Sequence, residues 1–190
     1  LASSEGRNWG GIRVDEFGPF QAVRTEAMPP RDHHVVLIAR DHSSCVIQER
    51  LGQSFENPFG PGDMSLIPAG TKASFRGRLP SHLRIGLSAE TLTEAAEQLG
   101  RTGAYVRPEL ANVFRAKDPF VERLGAVFSV ELLRPAHPIQ GILIESLVMA
   151  LSLHLLRNYG APTGVQGGFS GSKVVAIRRA LEVMNQPLDT

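Results

Sequence analysis

From its start to about Leu87 the chain is made of short runs in which apolar and polar positions alternate, each closed by a turn. A period of two places successive side chains on opposite faces of a strand. Gly11-Ile12-Arg13-Val14-Asp15 and Phe20-Gln21-Ala22-Val23-Arg24 flank a Gly18-Pro19 turn and predict an early hairpin. Val35-Val36-Leu37-Ile38-Ala39-Arg40 is apolar enough for a central strand, and residues 44–50 are expected to pair with it across Asp41-His42. Residues 64–67, 73–76 and 82–87 complete the series. Many short strands with Gly/Pro turns, and no helical period between them, predict a sandwich or barrel.

Helical spacing takes over at Ser88. Ser88-Ala89-Glu90-Thr91 reads as an N-cap with an early carboxylate, followed by Leu92, Ala95, Ala96 and Leu99 and a stop at Gly100. Residues 103–117 read as irregular. Asp118-Pro119 then supplies an N-cap with proline at the first helical position, ahead of an apolar stripe from Phe120 to Leu133. Pro135 and Pro138 end that helix. The next, from Ile139 to about Arg157, is more apolar than a single buried stripe requires. Gln140, Glu145, Ser152 and His154 interrupt it as a membrane span. The preferred reading is a helix buried on the barrel by one face and on a second copy by another, through Leu147, Leu151 and Leu155. Complete burial within the chain is the alternative.

Residues 159–171 are rich in glycine and read as a flexible linker. Ser172 caps a further amphipathic stretch carrying Val174, Val175, Ile177, Ala180, Leu181 and Met184. It reads as the opening helix of a second domain. Four regions are therefore expected: a barrel at 1–88, helices at 89–158, a linker at 159–171 and a cut-off helix at 172–190.

The strongest motif is Gly62-Asp63-Met64-Ser65-Leu66-Ile67-Pro68-Ala69-Gly70. Glycine opens the strand and Pro-x-Gly turns the chain back, as the φ preferences of those residues favour. It resembles the second motif of the cupin barrel. With the helical pair, the linker and residues 176–185, which resemble the first helix of a DNA-binding domain, the chain resembles the N-terminal region of AraC/XylS-type transcription regulators. Ser4-Glu5-Gly6-Arg7-Asn8-Trp9-Gly10-Gly11-Ile12 resembles the lead-in of that family. The resemblance implies an α+β, mainly β fold: a cupin-like barrel or jelly roll followed by a helical pair. It also implies an effector-sensing, dimerising region that regulates a DNA-binding domain. A cupin-fold enzyme and a stand-alone small-molecule-binding module are the alternatives.

Chemistry enters as a test of that reading. Metal-binding cupins carry a His three residues after Pro-x-Gly, and here that position is Ala73. His33 and His34 are adjacent, so they face opposite sides of a strand and read as polar residues at a loop edge. A catalytic metal needs about three protein ligands, so no metal, cofactor or catalytic residue is expected. Gly167-Gly168-Phe169-Ser170-Gly171-Ser172-Lys173 lacks the ending of a phosphate loop. The lone Cys45 excludes an internal disulfide and reads as a small packed side chain.

A net charge of +1 gives no bulk attraction to nucleic acid or membrane, and the start of the chain lacks a signal pattern, so cytoplasm is expected. Lys173, Arg178 and Arg179 read as a solvated helix face. The expected partners are a small-molecule effector, a second copy, and DNA through a helix-turn-helix domain outside these residues. Candidate effector contacts are His82, Arg84, Gln48 and Arg50, provided their faces turn into the barrel. A barrel filled by its own side chains is the alternative.

Overall fold

The computed structural model describes residues 2–101 and 108–161. Eight strands come first: β1 (Ile12–Phe17), β2 (Phe20–Met28), β3 (His33–Ala39), β4 (Ser44–Arg50), β5 (Gln53–Phe59), β6 (Asp63–Ile67), β7 (Ala73–Leu79) and β8 (His82–Ser88). Helix α1 (Ala89–Arg101), strand β9 (Val113–Lys117), and helices α2 (Pro119–Leu133) and α3 (Gln140–Tyr159) follow. Two antiparallel sheets result, a five-stranded one in the order β1-β8-β3-β6-β9 and a four-stranded one in the order β2-β7-β4-β5. Their inner faces enclose the barrel.

The two sheets overturn three expected connections. β1 and β2 are not a hairpin, because β1 pairs with β8 and β2 with β7. β4 does not pair with β3; it lies between β5 and β7, while β3 sits between β6 and β8. β6 is likewise followed by a strand of the opposite sheet rather than by its own return. Each turn was legible, but a turn between two strands does not say whether the chain folds back or crosses. The turn residues themselves hold: Gly62 and Gly70 take φ of 75°, which favours glycine.

Two strands escaped the pattern. β5 contains Pro58 and exposed polar residues, which suit an edge strand. β9, in the stretch expected to be irregular, joins the edge of the larger sheet beside β6. The barrel sheet thus draws a strand from beyond residue 88.

The larger sheet is buried on both sides. Val14, Val36, Ile38, Met64, Leu66, Leu83, Ile85 and Leu87 pack on Leu92 and Ala95 of α1, Val121 and Phe128 of α2, and Ile144, Val148, Leu151 and Leu155 of α3. The inner face meets the smaller sheet through Val35, Leu37, Ala39 and Ile67 against Val46, Phe59, Ala73 and Phe75. Each such side chain contributes about 1.5–3 kcal/mol of burial.

The helix signals are largely borne out. Ser88 Oγ accepts from Thr91 N at 3.1 Å, and α1 continues through Gly100 to Arg101. Asp118 caps α2, with Oδ1 accepting from Phe120 N and Val121 N. Its other oxygen accepts from His154 Nε2 at 2.7 Å and from Tyr159 OH at 2.8 Å, tying the start of α2 to the end of α3. Beyond α3, Gly160 bridges to Leu110. The rest of the expected linker, the final helix, and Lys173, Arg178 and Arg179 lie outside the described residues.

Leu151 and Leu155 are fully buried within the chain (0% exposed), and Leu147 packs partly against the same core. Leu151 and Leu155 therefore have no surface to offer a second copy, which corrects that expectation for them. The exposed apolar side chains of this region include Phe120, Val127, Val130 and Leu133 of α2 and Ile139, Ile142 and Leu143 around the start of α3.

Asp118→Ala removes the cap and both cross-helix bonds. It is expected to lower the unfolding free energy by about 2–4 kcal/mol in urea titrations. Asp118→Asn, which keeps a cap acceptor, loses less.

Candidate functional site

Directly paired residues of a sheet share a face, so the register settles which side chains enter the barrel. Arg84 pairs with Leu37 on one side and with Asp15 on the other, and Leu37 pairs with Ser65. Asp15, Arg84, Leu37 and Ser65 thus form one inward rung of the larger sheet. His82 lies on the same face, opposite Ala39 and Phe17. On the smaller sheet, Gln48 pairs with Phe75 and Phe55, and Arg50 pairs with Ala73 and Gln53. All four candidate contacts, His82, Arg84, Gln48 and Arg50, therefore turn into the barrel. They form two groups separated by Leu37.

The first group is an ion cluster. Arg84 Nη2 donates to Asp15 Oδ2 at 2.6 Å, Arg13 Nε donates to the same oxygen at 3.0 Å, and Ser3 Oγ donates to Oδ1 at 2.5 Å. Burial pushes the Asp15 carboxyl up, but these bonds outweigh it and hold the group below the usual carboxylate range. The Arg84 guanidinium lies 4.7 Å from the centre of the Phe17 ring, and His82 stacks on that ring at 5.2 Å. His82 Nδ1 donates to Pro80 O at 2.9 Å, and burial lowers its pKa.

The second group is built round Arg50, only 2% exposed. Its Nη1 donates to Leu66 O at 3.1 Å, and its Nη2 donates to Gln48 Oε1 at 2.7 Å and Ser65 Oγ at 2.9 Å. Phe114 of β9 covers the guanidinium, 4.3 Å from its ring centre, and stacks on Phe55. Every acceptor here is neutral. Burial pushes the Arg50 pKa down to about 9.

The end of the barrel beside Arg50 is open. The inward rung Met28, Ala73, Arg50 and Gln53 lines a cleft of about 860 Å³, together with Pro29, Pro30 and Lys72. Next to it, Met28, Pro29 and Ala73 also line a cavity of about 10 Å³ with Arg31, His33 and Ile67. That smaller space is about the size of one water.

Ala73, at the position of the second-motif His, faces inward and is buried. Among the described residues no three His, Cys, Asp or Glu side chains gather as a metal site. His33 and His34 do lie on opposite faces, but they begin β3 rather than edging a loop. His34 is buried, accepts from Ala69 N at 3.2 Å, and has its pKa lowered by burial. Cys45 is exposed, because it alternates with the inward Val46 and so faces away from the barrel.

No protein-family model and no curated protein sequence matches the chain. Solved structures do. That of the AraC-like transcriptional activator CuxR is similar over 95% of this chain, with a TM-score of 0.53 and 12% identity. ToxT from Vibrio cholerae is similar over 93% of this chain and 68% of its own, with a TM-score of 0.51 and 8% identity. The fold, two antiparallel sheets followed by helices, is similar to that of these two proteins. At these identities the likeness is one of fold alone, and the chain spans 64% of the length of CuxR. An oxalate decarboxylase variant from Bacillus subtilis is similar over 53% of the chain at a TM-score of 0.35, too slight to carry an argument about chemistry.

Several residues of the barrel interior and its open end were not singled out by sequence: Asp15, Ser65, Phe114, Met28 and Arg31. Asp15 and Ser65 carried a signal, as polar residues alternating with the apolar Val14, Met64 and Leu66. Arg31, on the connection between β2 and β3, carried none.

The lowered Asp15 pKa has a defined pH signature. Its contribution to stability is complete above the unfolded value of about 4 and is lost as pH falls through the lower folded value. Asp15→Asn is expected to weaken the protein at neutral pH and to flatten the acid side of its stability profile, read from urea midpoints across that range.

Proposed function

We propose that this chain is the ligand-sensing region of an AraC-type transcription regulator and is not itself an enzyme. The observation that carries the reading is the inner face: inside an AraC-type barrel it presents Arg84 with Asp15 and, separately, Arg50 with Gln48 and Ser65, beside an open cleft. Polar groups converging on an apolar concavity are the usual makings of a small-molecule site. The alanine at position 73 supports a binding role over a metal-assisted one.

The regulated partner in this reading is DNA, reached through a helix-turn-helix domain outside the described residues, in the cytoplasm. A second copy of the chain is proposed to pack on the exposed apolar residues of α2 and α3, Leu133 and Ile142 among them. The effector acts only through its differential affinity for the arrangements of barrel and helices.

A thermal-shift screen of small metabolites, followed by operator-binding assays of the intact regulator, tests this. Compounds that raise the melting temperature are expected to change operator occupancy. Arg50→Gln, at the cleft, is expected to weaken the binding of those compounds about tenfold or more. A screen without stabilising compounds, or stabilisation without any effect on operator occupancy, contradicts the reading.

A further inference from the structure

The buried Arg50 and the half-buried Arg31 differ from the arginines that Asp15 holds. Arg13 and Arg84 are each paired with Asp15. Arg50 is more deeply buried than either, yet among the described residues it has no carboxylate within ion-pair distance. Its three bonds go to a carbonyl, an amide and a hydroxyl, and its Nε has no partner. A buried charge without a counter-charge costs several kcal/mol. An apolar side chain of similar volume would fill the same space without that cost.

Arg31 repeats the feature nearby, with a buried Nε that has no partner. It lines the small cavity that shares Met28, Pro29 and Ala73 with the large cleft lined by Arg50. Both guanidinium groups therefore belong to residues bordering one patch of barrel wall, and Lys72 lines the same cleft. The acids nearby are bonded to other partners. Glu49 lines the cleft too, but its side chain alternates with the inward Arg50 and Gln48 and accepts from Ser74 Oγ, and Asp15 is held by Arg13, Arg84 and Ser3. Asp32 is exposed and bonded to the His33 ring. Met28, Pro29, Pro30 and Ala27 make much of the cleft apolar.

The geometry points to an organic anion as the ligand of this barrel: a carboxylate or phosphate group held by Arg50 and Arg31 beside Ala73, its apolar body against Met28, Pro29 and Pro30. Guanidinium groups match both anions through paired N–H donors. This inference rests on the ligand-sensing reading and names the chemical class of its ligand. Ala73, small and inward-facing, lines both spaces at the position where the second-motif histidine would stand in a metal-binding cupin.

The test uses matched probes on the 190-residue chain: phenylacetate and phenylacetamide, 3-methylbutanoate and 3-methylbutanamide, phenyl phosphate, and inorganic phosphate. Thermal shift and titration calorimetry read the affinities. At least one organic anion is expected to bind about tenfold or more tighter than its neutral counterpart. Arg50→Gln is expected to abolish that preference. Because Arg50 also ties β4 to β6, Arg31→Gln, on a connection outside the sheets, serves as the second variant and is expected to weaken anion binding several-fold with an unchanged melting temperature in buffer. Amides binding as well as acids, or an anion preference that survives both substitutions, overturns the inference. So does inorganic phosphate matching the organic anions, since the apolar wall would then contribute nothing. If the probes fail while neutral metabolites bind, the anion assignment fails and the ligand-sensing reading survives. If no compound of any charge binds, both fail.

Discussion

The sheet β1-β8-β3-β6-β9 buries side chains on both of its faces, and the period of two in its strands keeps those faces chemically separate. Leu83, Ile85 and Leu87 of β8 join the helices, while His82 and Arg84 of the same strand enter the barrel. The outer face, with three helices against it, carries most of the apolar burial. The inner apolar cluster is smaller, running through Val35, Leu37, Ala39 and their partners on the other sheet. Stability concentrated on one face leaves the other free to hold costly groups such as Arg50.

β9 is where the two faces communicate. Inside, Gln48 donates to Phe114 O at 3.5 Å, Ser65 donates to Val113 O at 3.2 Å, and the Phe114 ring covers Arg50. At the far end of β9, Asp118 caps α2 and holds His154 and Tyr159 of α3. The strand is preceded by Leu110, which bridges to Gly160 just past α3. Under the proposed function, a ligand that displaced Phe114 would therefore pull on the point where the chain leaves α3.

Local signals in the sequence located most strands and all three helices because each depends on nearby residues: alternation for β3 and β8, Asp118-Pro119 for α2, Gly62 and Gly70 for the turns. Pairing was not local. Gly18-Pro19 looks the same whether the chain folds back or crosses to the other sheet, and here it crosses. β9 was hidden because an edge strand of five residues carries little alternation. The site was half legible. Strand parity identified His82 with Arg84, and Gln48 with Arg50, as sets sharing a face, but which face turned inward depended on where the helices packed. The apolar faces of α3 misled in the same way, since a helix rich in leucine does not show which leucines its own chain covers. Leu151 and Leu155 are covered; Ile142 and Leu133 are not.

The methionines offer a direct reading of where a ligand sits. Met28 lines the cleft beside Arg50, Met64 is buried on the outer face of the five-stranded sheet, and Met149 packs on the helical core. Methyl-resolved NMR of the methionine-labelled protein, titrated with phenylacetate, separates these environments. The account predicts that the Met28 methyl resonance shifts first and furthest, with Met64 and Met149 little changed. Saturation that leaves Met28 unmoved while Met64 or Met149 shifts would contradict it.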